Sequence, residues 1–293
     1  SQTTQGWRTD GTGIYPDQRP PLEWSTEKNV VWATELPPSN AIPIIVGDRV
    51  FVCAEPTTLV CLQLRDGKIL WQKNNDYSQI LSEREWIAVQ RELEQIKQLE
   101  QQKKPLRKAR GDVKRQLKNN EITQATATKK LDELQAAEKQ IQEKINAFKL
   151  AEKWKLPRAH GHAGYSTPTP TTDGKHIWVV FGNGIAACYD LEGKRKWIRK
   201  VDEARGGFGN TASPVLVDGK LLVHMTHLTA LNAKTGEQLW QTRASGSFGT
   251  SMTVKVAGEE MLLTPASELF RLKDGERVAR GRGRLAYASP IRD

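Results

Sequence analysis

Short apolar runs of four to six residues, each closed by a glycine turn, fill the chain from 42 to 76 and again from 158 onward. In "LVCLQLRDGKILW" (59–71) an apolar run, an Asp-Gly pair and a second run ending in Trp follow one another. This order predicts a buried strand, a tight hairpin turn with left-handed backbone at Asp66 and Gly67, and a returning strand. It recurs in "IAACYDLEGKRKW" (185–197), "LTALNAKTGEQLW" (228–240) and "LFRLKDGERV" (269–278), the last without its Trp. Each copy is preceded by a strand, a glycine turn and another strand: "IPIIVGDRVFV" (42–52), "TPTPTTDGKHIWVV" (167–180), "SPVLVDGKLLV" (213–223) and "SMTVKVAGEEMLL" (251–263). Ser213, Ser251 and Ser289 fall 38 positions apart, twice running.

Four short antiparallel strands in about 40 residues is the period of a β-propeller blade. A four-stranded blade has two apolar faces and must pack against a neighbour on each. Trp71, Trp197 and Trp240 recur at one place in the outer strand. There an indole would wedge between blades and bury roughly 150–250 Å². A β-sandwich leaves that constant position unexplained. "NVVWATELP" (29–37) matches the outer strand alone, with Trp32 at the wedge position. A lone outer strand of this kind closes a propeller ring. The expected fold is therefore all-β, a propeller of four-stranded antiparallel blades with seven or eight blades when complete. The chain supplies a closing strand, four units and the "SPI" that begins a fifth, so it is expected to be truncated.

Residues 80–155 carry a different period. Trp86, Val89, Leu93, Ile96 and Leu99 recur at spacings of three and four, and Leu131, Leu134, Ile141, Ile145 and Phe148 fall on one stripe. That is a helical stripe. Pro105, Gly111 and "KNNEIT" interrupt it, and Thr123 stands as an N-cap. Helices are predicted near 82–104, 106–118 and 122–153, the outer two pairing as a coiled-coil-like hairpin. The domains are thus 1–76 (N-terminal extension, closing strand and first blade), 77–157 (inserted hairpin) and 158–293 (further blades).

Charge sharpens this division. The net charge is +10, and 77–157 hold 18 Lys/Arg against 12 Asp/Glu while the remainder holds 26 against 22. A chain whose basic excess is so concentrated is not a uniformly basic nucleic-acid binder. The excess centres on Lys103, Lys104, Arg107, Lys108, Arg110, Lys114, Arg115 and Lys118, with Asp112 the one acid among them. The plain account is a solvated helical tip. The functional one is a basic arm for an acidic partner, anionic lipid or nucleic acid, although no aromatic is interleaved for base stacking.

Chemistry, if present, belongs to the loops that lead into the innermost strands. These are "RAHGHAGYSTP", "RGGFGNTASP", "RASGSFGTSM" and "RGRGRLAYASP". They contribute His160, His162, Arg205, Phe208, Asn210, Arg243, Phe248, Arg282 and Arg284. Loops on a rigid scaffold carry binding residues. Repeated Arg with Phe fits an anionic or aromatic ligand or an acidic peptide. The competing account is solvated arginines on Gly-Phe-Gly bends. His160 and His162 stand at i and i+2, half a metal site without a third ligand. His224 and His227 are expected to pack or hydrogen-bond. No GxSxG, HExxH, P-loop or paired-carboxylate pattern is present. "FGNGIAACY" opens a strand, where a dinucleotide site needs a helix. Cys53, Cys61 and Cys188 are odd in number and lack CxxC spacing, so no disulfide framework or zinc site is expected. No run of 18 apolar residues occurs, so no membrane span is expected.

The head "GWRTDGTGIYPDQRPPLEWSTEKNVVWATELP", with "DGKILWQ", "FGNGIAACYDLEGKRKW" and "NTASPVLVDGKLLV", resembles the PQQ-like, tryptophan-docking β-propeller repeat proteins over about 1–76 and 158–293. The resemblance implies an exported or periplasmic protein. It also implies one of two activities. One branch of that family oxidises alcohols or sugars with PQQ and Ca²⁺. The other is non-enzymatic and includes a lipoprotein of outer-membrane protein assembly. The catalytic branch carries adjacent cysteines and a set of acidic and amide Ca²⁺ ligands, and this chain has no Cys-Cys pair. The expectation is a non-catalytic binding scaffold without cofactor, its partners proteins or an anionic ligand. The alternative is a PQQ- and Ca²⁺-dependent oxidoreductase in which Arg and Asn at the funnel hold the quinone carboxylates. A polysaccharide-binding propeller would need an exposed aromatic platform.

Overall fold

The computed structural model describes residues 6–9, 13–14, 19–159, 161, 163–203, 209–285 and 288–290. The chain divides into two compact units, one of 1–80 with 157–293 and one of 81–156.

Among the described residues the first unit holds four sheets, each of four antiparallel strands in meander order. The first holds β1 (Ile44–Val46), β2 (Arg49–Ala54), β3 (Thr58–Gln63) and β4 (Ile69–Asn74). The second holds β5 (Thr171–Thr172), β6 (His176–Val180), β7 (Ile185–Asp190) and β8 (Arg195–Lys200). The third holds β9 (Val215–Val217), β10 (Lys220–His224), β11 (His227–Asn232) and β12 (Gln238–Arg243). The fourth holds β13 (Met252–Val256), β14 (Glu259–Leu263), β15 (Glu268–Arg271) and β16 (Arg277–Arg280).

In the first three sheets the middle strands are apolar and buried on both faces, because successive side chains point to opposite sides of the sheet and both sides are covered. Val50, Val52, Ala54, Val60 and Leu62 cluster with Trp32, Leu36 and Ala41. The alternate positions Phe51, Cys53, Leu59 and Cys61 cluster with Ile177, Val179, Phe181, Ala187 and Tyr189 of the second sheet. Trp178, Val180, Ala186 and Cys188 then cluster with Leu221, Val223 and Leu231 of the third. Leu222, Leu228 and Ala230 cluster with Leu262 and Phe270 of the fourth. Each fully buried Leu, Ile or Phe contributes about 1.5–3 kcal/mol of transfer free energy. Successive sheets are therefore stacked face to face as blades.

An indole spans each junction. Trp71 Nε1 donates to Leu191 O (3.1 Å), Trp197 Nε1 to Ala233 O (2.9 Å) and Trp240 Nε1 to Leu272 O (3.1 Å). Trp32 Nε1 donates in the same way to Leu64 O (2.7 Å). Each ring lies on the turn glycine of the next sheet: a Cβ at Gly193 would meet Trp71 at 2.8 Å, and one at Gly236 would meet Trp197 at 2.6 Å. In the fourth sheet the position opposite Leu269 is Ala279, where the other sheets carry Trp.

Two strand expectations change. Only Gly67 of the Asp66-Gly67 pair takes the left-handed conformation, at φ +70°. Gln63 and Lys68 close a four-residue loop, and the ladder shifts between Cys61 and Leu62. A bulge absorbs the twist that a two-residue turn would otherwise need. Residues 29–37 form no strand, since no ladder partner lies beside them among the described residues, although Trp32 makes the contact expected of it.

The second unit is helical, and its elements differ from expectation. The first helix, α1 (Glu83–Lys118), runs unbroken through Pro105 and Gly111, followed by α2 (Gln124–Asn146) and α3 (Lys149–Trp154). An interior proline costs about 3 kcal/mol or more. Here α2 grips α1 on both sides of it: Lys103 Nζ donates to Gln142 Oε1 (2.7 Å) and Arg110 pairs with Glu138 (2.9 Å). The rising α1 and falling α2 numbers show that the two helices run antiparallel. Ser82 and Glu85 form the capping box that starts α1, and Thr123 caps α2 as expected.

Candidate functional site

The four sheets present two ends. At one lie the turns that join first to second and third to fourth strands. At the other lie the loops between sheets, where sequence places the candidate residues. Tracing the polar groups at this loop end shows most of them committed to one another.

The inner-strand hydroxyls form a relay from sheet to sheet. Ile42 N donates to Thr169 Oγ1 (3.4 Å) and Thr169 N to Ser213 Oγ (3.0 Å). Ser213 N donates to Thr250 Oγ1 (2.9 Å) and Thr250 N to Ser289 Oγ (2.8 Å). The repeated Ser and Thr thus satisfy backbone amides that the short inner strands leave unpaired, as buried donors require.

Two carboxylates pin the loops. Glu55 Oε1 accepts from Tyr165 N (2.7 Å), Ser166 N (2.7 Å) and Ser166 Oγ (2.6 Å). Gly164 lies against that carboxylate, at φ +60° and with no room for a Cβ. Glu268 is fully buried and accepts from Ser245 N (2.7 Å), Ser245 Oγ (3.1 Å) and Arg277 Nη1 (2.7 Å). Burial alone would raise the Glu268 pKa. The Ser245 amide and hydroxyl and the Arg277 guanidinium outweigh it and hold the carboxyl below its usual range.

A buried amide pair joins the first two sheets. Asn183 Nδ2 donates to Asn75 O (3.1 Å), Tyr189 OH to Asn75 Oδ1 (2.6 Å) and Tyr77 OH to Asn183 O (2.6 Å). Burial pushes the Tyr77 hydroxyl pKa up. Residues 77–80 therefore stay with the sheets. Sequence reading missed Glu55, Glu268, Asn75 and Asn183. The available signal was a polar side chain between two buried strands, as in "CAEPT" and "FGNGI".

Of the predicted loop residues, His160, His162, Arg205 and Phe208 lie outside the described residues. Asn210 is buried, with Nδ2 3.5 Å from Gly182 O, so it closes a loop. Phe248 is half-buried, and its carbonyl accepts from Thr211 Oγ1 (2.5 Å). Arg243, Arg282 and Arg284 are exposed. Arg284 Nη2 donates to Gly246 O (2.8 Å) and Ser247 Oγ to Leu285 O (3.0 Å), which brings the loops after β12 and β16 together. Arg282 and Arg284 thus stand on a loop joined to the one that follows Arg243 at the end of β12.

Other candidates resolve as packing. His224 is buried, and His227 Nδ1 lies 3.2 Å from Asp202 Oδ1. All three cysteines are buried and free, and burial pushes Cys61 and Cys188 up to about 12. Such thiols are inert. In the helical unit the basic residues divide. Lys103, Arg107, Arg110 and Arg115 pair with Glu100, Glu138 or Asp112. Lys104, Lys108, Lys114 and Lys118 are exposed and make no ion pair among the described residues.

No known family profile matches the chain. No curated protein matches it either. Among solved structures it is similar to BamB from Moraxella catarrhalis, with TM-score 0.45, 14% identity, and 86% of this chain on 51% of that one. It is also similar to the quinohemoprotein alcohol dehydrogenase ADHIIG from Pseudomonas putida HK5, with TM-score 0.39, 14% identity, and 75% on 23%. A third is the quinohemoprotein alcohol dehydrogenase from Comamonas testosteroni, with TM-score 0.33, 10% identity, and 87% on 46%. These three are PQQ-like β-propeller proteins. The chain spans about half the length of BamB and less of the dehydrogenases. Among the described residues no helix is long and apolar enough to cross a membrane.

Proposed function

We propose that the protein is a non-catalytic propeller scaffold that binds an acidic protein partner or other anionic ligand. The observation that carries this reading is the division of the loop end. Its hydroxyls and carboxylates are spent on holding sheets and loops in place, while Arg243 at the end of β12 and Arg282 and Arg284 after β16 face solvent where the two following loops are tied together. Exposed cations on a rigid support attract a poly-anion at long range and confer salt-dependent association. Lys104, Lys108, Lys114 and Lys118 on α1 supply a second basic surface. Within the same reading the sheets are blades of a ring of seven or eight, docked by Trp32, Trp71, Trp197 and Trp240. The helical pair is an added coiled-coil arm, and the protein works outside the cytoplasm.

The alternative oxidoreductase needs residues to hold PQQ and Ca²⁺. Two observations among the described residues favour the scaffold reading over it. The three cysteines are buried singly, and no three His, Cys, Asp or Glu side chains come together as metal ligands among them. Glu55 and Glu268 spend their charge on neighbouring segments, Tyr165–Ser166 and Ser245 with Arg277.

Binding of fluorescent poly-glutamate, measured by anisotropy at low and high salt, tests the scaffold reading. Saturable, salt-sensitive binding is expected, weakened at least tenfold when Arg243, Arg282 and Arg284 are changed together to Ala. Equal binding by wild type and the triple variant would remove the loop arginines from the reading. A titration with PQQ and Ca²⁺ tests the alternative. Saturation at a hundredfold excess over Kd would raise stability by about 2.7 kcal/mol and reverse the order of the two readings.

A further inference from the structure

The opposite end of the sheets, where the hairpin turns lie, carries a cavity that the scaffold reading does not use. Two junctions explain how it arises. At each, one backbone carbonyl accepts two donors from the preceding sheet. Leu191 O accepts Trp71 Nε1 and Arg49 Nη1. Ala233 O accepts Trp197 Nε1 (2.9 Å) and Trp178 Nε1 (2.8 Å).

Arg49 and His176 occupy the same register: each sits two residues before the side chain opposite the cysteine of the third strand. Arg49 crosses to the second sheet, where it also pairs with Glu192 (3.3 Å). His176 instead turns back to Asp173 within its own sheet, at 3.3 Å. Trp178 takes over the carbonyl from a deeper position. The space that an arginine arm fills between the first and second sheets is left open between the second and third.

The resulting cavity measures about 630 Å³ and is lined by His176, Trp178, Leu216, Asp218, Ala233 and Lys234, with Asp173, Cys188 and Lys196 beside them. Small-ligand sites span roughly 300–1,000 Å³, with an apolar lining and a few polar groups. The walls are fixed. The Trp178 indole is bonded to Ala233 O, and Asp218 and Gly219 form a tight turn at φ +47° and +68°.

The charges sort themselves. Asp173 accepts from Lys175 N (2.8 Å) and His176 N (2.7 Å) besides the imidazole, and Lys196 is held by Asp190 (2.8 Å). Asp218 and Lys234 make no ion pair among the described residues and stand exposed at the mouth. One uncommitted anion and one uncommitted cation beside an aromatic wall define a ligand with the complementary charges.

We propose that this cavity binds a small aromatic zwitterion of the chemistry of an aromatic amino acid. Its ring lies against Trp178 and Leu216, its carboxylate at Lys234 and its ammonium at Asp218. The site is independent of the loop-end arginines.

The test is a titration of the ¹⁵N-labelled full chain with L-phenylalanine, 3-phenylpropionate and phenethylamine, following the indole N–H signal of Trp178. L-Phenylalanine is expected to shift that signal saturably at micromolar to millimolar concentration. His176→Arg, which restores the arm found at Arg49, is expected to abolish the shift. Asp218→Asn is expected to weaken L-phenylalanine and phenethylamine about tenfold and leave 3-phenylpropionate unchanged. Lys234→Gln is expected to weaken L-phenylalanine and 3-phenylpropionate and leave phenethylamine unchanged, tenfold being about 1.4 kcal/mol. The two mouth substitutions are on the surface and decide the matter even if the histidine variant fails to fold. Absence of a saturable shift at millimolar L-phenylalanine, or equal binding of all three compounds by wild type, overturns the proposal.

Discussion

The sheet unit and the helical unit of this chain are held together by different physics. In the first three sheets the middle strands are buried on both faces, and each junction is closed by an indole lying on a turn glycine. In the helices few side chains are buried, chiefly Val89, Val113, Ala127, Ala151 and the stem of Lys103. Their pairing relies on polar links: Lys103 to Gln142, Arg110 to Glu138, and Ala151 N to Glu92 (2.8 Å). A sheet stacked on both sides has no polar face to spare. An antiparallel helix pair can expose most of its surface and tolerate charge within its seam. The proposed scaffold role rests on the same division, since the sheets can fix loops in space while the helices present a charged surface.

The contrast is strongest at the junctions. Trp197→Ala removes a nearly buried indole and its bond to Ala233 O, and is expected to cost about 3–5 kcal/mol in denaturant unfolding of the sheets. A loss below about 1 kcal/mol would mean that the indole does not hold the junction. Gly236→Ala tests the other partner. Its backbone at φ +73° and the 2.6 Å approach of Trp197 both oppose a side chain, so a loss of roughly 1–3 kcal/mol is expected. If Gly236→Ala proved neutral, the indole would have to sit elsewhere.

Glu268→Gln probes the polar supports of the loop end. A loss of about 1–3 kcal/mol is expected at neutral pH, because Arg277 and the Ser245 amide lose a charged acceptor. The sign with pH is fixed by the direction of the shift. The folded carboxyl titrates below its unfolded value, so wild type keeps this contribution above the unfolded pKa of about 4.3 and loses it as pH falls through the folded one. The variant should lack that acid limb. Thermal midpoints of both proteins between neutral and strongly acidic pH check this, and parallel curves would count against the pairing. The smallest effect belongs to the helices. Lys103→Met replaces a buried ammonium by an apolar group of similar length, and a change within about 1 kcal/mol of zero is expected. A large loss would show that the helical seam, like the sheets, depends on each buried contact.

Much of the loop end was hidden from sequence for a definite reason. A glutamate in "CAEPT" is indistinguishable from a solvated loop acid until Tyr165 and Ser166, more than a hundred residues on, donate to it. The loop hydroxyls carry no mark of their role in sequence for the same reason, and the structure spends them between sheets. Pro105 and Gly111 read as breaks because propensity is local, whereas α1 is held across them by α2.

The repeat determined the strands, their order and the indole positions. Apolar runs of four to six residues, and in three units a Trp four places after a turn glycine, are properties of each unit by itself, so local physics repeats along the chain. Only tertiary structure decided which polar groups remain for function. Arg49 and His176 hold equivalent positions in successive units, yet one closes its junction and the other leaves a cavity. That outcome turns on which side chain reaches a carbonyl in the next sheet, and no single unit of the sequence contains both partners.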